Sequence, residues 1–484
     1  MRRWLIPDVS LAAAAVTLLY GLALFDGPRK LFRDSDTGWH IRTGERILAT
    51  GSLPRSDPYS FTKAGEPWFA WEWGADVAMG AAHRHAGLGG ITLLYLAAIA
   101  FCTWLWFRLT WAVDGDFLLA CAMASPFLST TNMHWLARPH VFSWIFLLTW
   151  LIVLERAPER FRPSHAVAVA AGATLWANVH ASFFLMPVLA CMYLLRRPSW
   201  YGAATLAAAA GTFLNPYGAG LHRHVAAYLA NAELLQRIGE FQTFNFHAEG
   251  SWQILLTVML AAMGGTLALV QGRVHHFLLL FGFLALGLRS ARALPVLALL
   301  LPLANSAIRQ WLASSPRAAQ AIRYSGNLRR LELGFRGWAW VPIGLALAYV
   351  ILQAPAVRTR IGFPPDQFPV AATARLDALV PAGARILAPD KFGGYMIYAF
   401  NGRRRVFFDG RSDLYGLDFM KRYIELVQVR PGWRVELARW SPTHALLPVQ
   451  YSLASALAEA GWGELYRDST AVLLGAPRED ETRR

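Results

Sequence analysis

Apolar positions along this chain fall in long unbroken runs, not in two-residue alternation. They lie near 9–25, 89–110, 117–133, 141–154, 165–179, 182–195, 201–214, 252–270, 276–288, 293–308 and 338–354. A helix that is apolar all round must face lipid or other helices. The pattern therefore predicts an α-helical polytopic membrane module over residues 1–355, with about eleven crossings. Several runs fall short of the ~20 residues that cross a bilayer unaided, which is tolerated where protein surrounds the helix ends. The stretch 165–195 reads either as a hairpin turning near 178–181 or as one long helix. The first run follows Met1-Arg2-Arg3 with no convincing small-residue cleavage site, so it reads as an uncleaved helix with a cytoplasmic start.

Two polar segments interrupt this pattern. Residues 27–88 form the first external loop. Residues 215–251 carry Leu221, Val225, Leu229, Leu234, Leu235 and Ile238 at a spacing that suits an amphipathic helix on the outer membrane surface. Beyond Gln353 short β-like runs (385–388, 395–399, 406–408, 445–448, 471–474) alternate with helical ones (371–379, 419–427, 452–460). Residues 356–484 thus read as a soluble α/β domain.

Charge orients the module. The chain carries a formal net charge of +15, with 16% charged and 55% hydrophobic residues, against about 25% charged in soluble domains. Nearly all the cations are arginine. With the N-terminus inside, the inner loops hold Arg156, Arg160 and Arg162; Arg196 and Arg197; Arg273; and Arg309, Arg317, Arg323, Arg329, Arg330 and Arg336. That is the positive-inside bias, and it accounts for the basic balance without a nucleic-acid partner. An odd number of crossings leaves the C-terminal domain outside. The three cysteines lie in apolar runs with no CxxC pair, so neither a zinc site nor a disulfide framework is indicated.

The same topology gathers the unusual polar residues on the outer side. These are Asp34, Asp36 and His40, Asp57, Glu72 between two tryptophans, Arg138 and His140, Asn178 and His180, and Arg289 and Arg292. Ionisable groups at a membrane edge are functional candidates by default. Asp34 and Asp36 can hold a divalent cation, take a proton from an acceptor, or, for Asp36, cap a helix running through Ile47. Asp57-Pro58 reads as a turn or as a site residue. Glu72 is a pocket carboxylate or an interfacial one. The arginines bind a phosphate or pair with the nearby acids. The histidines lack the spacing of a local zinc pattern. In the tail, Gly393-Gly394 suggests a tight turn or close backbone approach. Asp409-Gly410-Arg411 suggests a hairpin turn with a salt bridge, or acceptor recognition.

Asp34-Ser-Asp-Thr-Gly-Trp-His, Leu53-Pro-Arg-Ser-Asp-Pro-Tyr-Ser-Phe61, Trp71-Glu-Trp, Arg138-Pro-His, Trp176-Ala-Asn-Val-His and Asn215-Pro-Tyr-Gly together resemble the bacterial GT-C-type glycosyltransferase-like multi-pass proteins. In the tail, Phe392-Gly-Gly-Tyr and Phe408-Asp-Gly-Arg-Ser-Asp-Leu-Tyr415 resemble the same group. The resemblance implies a GT-C-like fold in the bacterial inner membrane. It implies a polyprenyl-phosphate-linked sugar as donor, with inverting hexosyl or pentosyl transfer to an external glycan or lipid acceptor. Asp34 and Asp36 match the acidic position of the first external loop. Magnesium or manganese is a candidate cofactor, held by Asp34 and Asp36 if any is bound, and is not required. No WWD-type acceptor motif occurs. The competing expectations are a non-catalytic polysaccharide-assembly protein and a transporter or flippase of a lipid-linked sugar, although no internal repeat is visible.

Overall fold

The computed structural model describes residues 5–477. Residues 1–4, with the Met1-Arg2-Arg3 start, and residues 478–484 lie outside it. Every expected apolar run is helical. The helices are α1 (Val9–Ala23), α2 (Asp36–Thr50), α3 (Trp73–Ala112), Phe117–Asn132, His140–Glu155, Pro163–Ala177, Leu185–Met192, Pro198–Thr212, Trp252–Val270, Val274–Arg289, the bent pair Leu294–Leu299 and Leu301–Ala313, and Trp340–Gln353. Among the described residues α3 and Trp252–Val270 are long and apolar enough to cross a membrane, and the bent region Ala291–Ala313 makes a third if it is one span. Most of the others run 13–16 residues. At 1.5 Å per residue these reach roughly 20–24 Å, against a hydrocarbon core of about 30 Å.

The ambiguity over 165–195 resolves as a hairpin. Arg196 reaches Glu155 at 3.2 Å, and Arg197 donates to the carbonyls of Ala157 and Pro158. Residues 196–197 therefore return to the end of the bundle from which Pro163–Ala177 departs. Asn178 donates to the Leu214 carbonyl at the opposite end. Other arginine loops collect at the first end: Arg309 and Arg329 both pair with Asp114, and Arg273 donates to Ser306. The candidate site residues lie at the other end.

The tail holds a four-stranded sheet in the order β1-β2-β4-β3, with β1 Ile386–Leu387, β2 His444–Pro448, β3 Gly463–Arg467 and β4 Ala471–Gly475. β1 and β2 are parallel; β4 is antiparallel to both its neighbours. Three of the expected strands are present. The run 395–399 is instead part of the helix Asp390–Ala399, because short apolar runs do not distinguish strand from helix by periodicity. The run 406–408 joins no sheet; Val406 pairs with Ser60 of the first external loop. The strand Gly463–Arg467 was not anticipated, being an exposed edge with little apolar content.

Trp39, Tyr59, Trp68 and Ala70 of the loop region 27–88 share one core with Leu376, Ile386, Phe392, Met396 and Leu446 of the tail. The loop and the tail thus pack as a single body over one end of the bundle. Segment 215–251 does not run as one long surface helix. It breaks into Ala219–Ala230, Ala232–Leu235 and Gly239–Phe241. His224 and Tyr228 bind Asp413 and Ser412 of the tail, so tertiary contacts set its breaks.

Candidate active site

A cavity of about 420 Å³ opens where the first loop, the bundle end and the tail meet. Asp34, Asp36, Glu72, Arg138, His180 and Arg292 line it. Asp34 and Asp36 sit at the start of α2. Asp34 Oδ1 accepts from the Asp36 N–H at 2.8 Å, so Asp34, rather than Asp36, satisfies the free donor at that terminus, and the helix runs to Thr50 rather than to Ile47. Gly51, at φ 65°, ends it in the left-handed conformation.

Arg138 is the hub. Its Nη1 contacts Asp34 Oδ2 at 2.7 Å and Glu240 Oε1 at 2.6 Å, and its Nη2 contacts Asp36 Oδ2 at 2.9 Å. Three carboxylates therefore converge on one guanidinium. Burial pushes Asp36 up to about 8, against the pull of Arg138 and with the help of Asp34 and Glu240. Burial also opposes the charge of Glu240, but Arg138 and Arg292 hold its carboxyl well below the usual range. Arg292 reaches Glu240 at 3.4 Å and lies over the Phe241 ring. It is about one-third exposed and keeps donors unused.

Glu72 lies behind this cluster with no cation bonded to it. Its Oε1 is 3.3 Å from His180 Nε2, and its Oε2 is 3.6 Å from His40 Nε2. Burial raises Glu72 to about 7, partly offset by Arg138 and Arg292 and reinforced by Asp413. Burial, then the positive charge of Arg138, hold His40 well below the usual imidazole range. A smaller cavity of about 120 Å³ adjoins, lined by His134, His140, Ser143, Trp144 and Trp176 and sharing His180 and Arg292. His140 Nε2 lies 2.8 Å from the His134 carbonyl.

The remaining expected residues do other work. Asp57 is fully enclosed. It accepts from the Tyr59 and Ser60 N–H groups and pairs with Arg411 at 2.8 Å, so it fastens the loop to the tail. Asn178 accepts from Trp73 Nε1 and donates to Thr174 and Leu214 carbonyls, tying helix ends together. Arg289 is exposed and does not line the cavity. Asp409-Gly410-Arg411 does form the expected salt bridge. It leads into the helix Ser412–Val427 instead of a hairpin, because Arg411 is drawn into the loop–tail core. Gly410 has no room for a side chain: a Cβ there would strike Asp36 Oδ1. Gly393 and Gly394 are likewise close-approach positions inside a helix, against Phe408 and Ser35.

Glu240 and Asp76 were not anticipated. Glu240 falls in the segment read only for its apolar spacing, where it is one of three acids with Glu233 and Glu249, and nothing local singles it out. Asp76 lies four residues after Glu72, on the same helical face. Asp390 and Asp413 also line the cavity. For a divalent cation, the fit is poor. The Arg138 guanidinium already bridges Asp34 and Asp36. Among the described residues the group that brings three ligand atoms within 4.8 Å is Glu155, His275 and His276, at the arginine-rich end.

No family model and no curated protein matches the sequence. Solved structures do. The oligosaccharyltransferase of Archaeoglobus fulgidus, crystallised with a tethered acceptor peptide containing the NVT sequon, superimposes with a TM-score of 0.59 at 10% identity, over 98% of this chain and 74% of that one. ArnT from Cupriavidus metallidurans in the apo state gives 0.46 at 14% identity, over 97% and 98%. The class is therefore that of a helical membrane fold carrying a mixed α/β cap. Within it, the chain has the GT-C fold, as the sequence motifs implied.

Proposed function

We propose that this chain is a membrane glycosyltransferase that moves a sugar from a polyprenyl-phosphate-linked donor to a glycan or lipid acceptor at the outer face of the inner membrane. One observation carries the reading: Asp34, Asp36 and Glu240 converge on Arg138 in a cavity at the bundle end opposite the arginine-rich loops. By the positive-inside rule that end faces the periplasm, with the N-terminus cytoplasmic and residues 356–484 periplasmic. The shorter apolar helices also cross, giving about eleven spans.

The roles follow from the geometry. Arg292 keeps free donors beside the cavity and takes the donor phosphate, stabilising the charge that develops as the sugar C1–O bond breaks. Arg138 is saturated by carboxylates and instead fixes Asp34 and Asp36. Asp36, raised to about 8, is protonated at neutral pH and donates a hydrogen bond. Asp34 and Asp36 together orient the sugar and the incoming hydroxyl for in-line attack, which inverts the anomeric centre. His140 and His180 line the phosphate side. No step runs through a metal, because the Arg138 guanidinium occupies the place between Asp34 and Asp36.

Incubation of purified protein in nanodiscs with a panel of polyprenyl-phosphate hexoses and pentoses tests this. Sugar transfer, or donor hydrolysis alone, is expected, and Asp34→Asn is expected to reduce it by roughly 10²-fold or more. Full turnover in an Asp34→Asn/Asp36→Asn variant that still inserts would overturn the site assignment. A wild-type protein that binds donors and never turns them over would be an assembly protein instead.

A further inference from the structure

Four carboxyls of the acidic cluster are partnered: Asp34, Asp36 and Glu240 by Arg138, and Asp413 by His224. Among the described residues Asp390 and Glu72 line the cavity with no guanidinium or ammonium bonded to them, and of these two Glu72 alone has its oxygens facing two imidazoles. Behind it stands a buried row. His40 Nδ1 is 2.6 Å from Asp76 Oδ1, and both side chains are almost wholly enclosed. His40 Nε2, 3.6 Å from Glu72, has no hydrogen-bond partner.

The fold holds this row in place by backbone contact. α2 and α3 cross where Gly44 meets Gly80 and the Asp76 carbonyl, so closely that neither glycine tolerates a Cβ. His40 lies one helical turn before Gly44, and Asp76 one turn before Gly80. Glu72 precedes Asp76 by one turn more. The crossing thus fixes the distance between the imidazole of α2 and both carboxyls of α3. Such an enclosed imidazole between two carboxyls has a costly, specific geometry, and the packing of two apolar helix faces does not require it.

We propose that Glu72 is the catalytic base, accepting the proton of the incoming hydroxyl, and that His40 and Asp76 are the positioning groups behind it. The proposal rests on the glycosyl-transfer reading above. The acceptor oxygen bonds the sugar C1 as the C1–O bond to phosphate breaks, and that electron pair leaves with the phosphate. The acceptor proton passes to the Glu72 carboxylate, which releases it to the water of the open cavity. His40, held through Nδ1 by Asp76 Oδ1, keeps the Glu72 carboxyl in place. The groups facing Glu72 are His40 on α2, Asp76 on its own helix, His180 on the hairpin turn, Arg138 and Arg292 from the bundle, and Asp413 from the tail. Burial among them tunes Glu72 to about 7, the range in which a base works best at neutral pH.

The test compares Glu72→Gln, Glu72→Asp, His40→Gln and Asp76→Asn in nanodiscs, reading donor Kd, turnover and the pH profile of kcat/KM. Glu72→Gln is expected to lower kcat by roughly 10²- to 10⁴-fold, with donor Kd within about twofold by the same reasoning that it contacts no phosphate. Glu72→Asp keeps part of the rate and the acid limb of the profile. Asp76→Asn moves that limb and lowers kcat without changing donor Kd. If it fails to insert, His40→Gln supplies the same readout. Wild-type turnover in Glu72→Gln, with Asp34→Asn inactive, would sink this assignment and leave the glycosyltransferase reading intact. A profile in Asp76→Asn and His40→Gln identical to wild type would remove their positioning role. Absence of turnover by the wild type on every donor would remove both.

Discussion

Replacing Arg411 by alanine removes the cation that locks the loop region 27–88 to the tail. The guanidinium is 1% exposed and contacts Asp57 and Asp409 at 2.8 and 2.7 Å, both 0% exposed. It also lies over the rings of Tyr59 and Trp68 at 5.2 and 4.7 Å. Removing one partner of a buried ion pair costs about 3–5 kcal/mol, because the opposite charge stays buried and uncompensated. The two ring contacts add about 0.5–2 kcal/mol. Against this, Asp57 keeps the Tyr59 and Ser60 N–H groups and the Ser60 hydroxyl, and Asp409 keeps the Tyr415 hydroxyl. The net loss is thus at the low end, about 3–4 kcal/mol, or roughly 10²- to 10³-fold in the opening equilibrium of this interface. The readout is hydrogen exchange at the Phe61 and Val406 amides, which donate across the loop–tail seam. Their protection should fall by that factor, while amides inside Trp252–Val270 keep theirs. The double variant Arg411→Met/Asp409→Asn should recover at least about 1 kcal/mol, since it leaves one buried charge fewer. Unchanged protection at both amides in a folded Arg411→Ala protein would refute the reasoning.

Three further outcomes follow from the same geometry. Burial raises Asp36 to about 8 and Glu72 to about 7, so the native state binds protons that the unfolded chain releases near pH 4. Their contribution to stability is present below about pH 4 and is lost as pH rises through 7–8; the melting temperature in detergent should fall over that window, and more shallowly in Asp36→Asn. A window with the opposite slope would mean these carboxyls are ionised in the folded protein. Arg292→Ala should weaken binding of a polyprenyl phosphate by roughly tenfold or more, as expected for a lost charge-assisted contact, whereas the exposed Arg289→Ala should leave it unchanged; equal effects would dissolve the distinction. A reporter fused at Ser315 should read cytoplasmic and one at the C-terminus periplasmic, and reversal of both would invert the sidedness.

The helical architecture was legible because a membrane solvent leaves few alternatives. Every apolar run must satisfy its backbone internally, so eleven runs became eleven helical stretches. What the runs did not carry was their length against the bilayer. Pro163–Ala177 and Pro198–Thr212 each stop at 15 residues, and hydropathy alone does not report the protein that surrounds a short helix. The tail was harder. Tyr395–Ala399 has the composition of a strand, yet Asp390 begins a helix there and Gly394 presses it onto Ser35. That contact crosses some 360 residues of chain, and no local pattern encodes it.

The site divides along the same line. Asp34, Asp36 and Arg138 were visible because charge at a membrane edge is costly in itself. Their pairing was open in the sequence between phosphate and carboxylate partners, and the structure gives Arg138 three carboxylates. Glu240 was invisible for a related reason: it lies some hundred residues from its partner Arg138, in a segment whose only pattern was apolar. Asp57 stood open in the sequence between a turn and a site residue, since an acid in a turn carries the same letters whether it faces a cavity or a buried arginine. Arg411, the residue that distinguishes these cases, comes from the far end of the chain and draws Asp57 away from the cavity. The tail is therefore more than an appendage to the bundle. By placing Gly410 against Asp36 and Arg411 against Asp57, it decides which acids of the first loop remain to line the cavity.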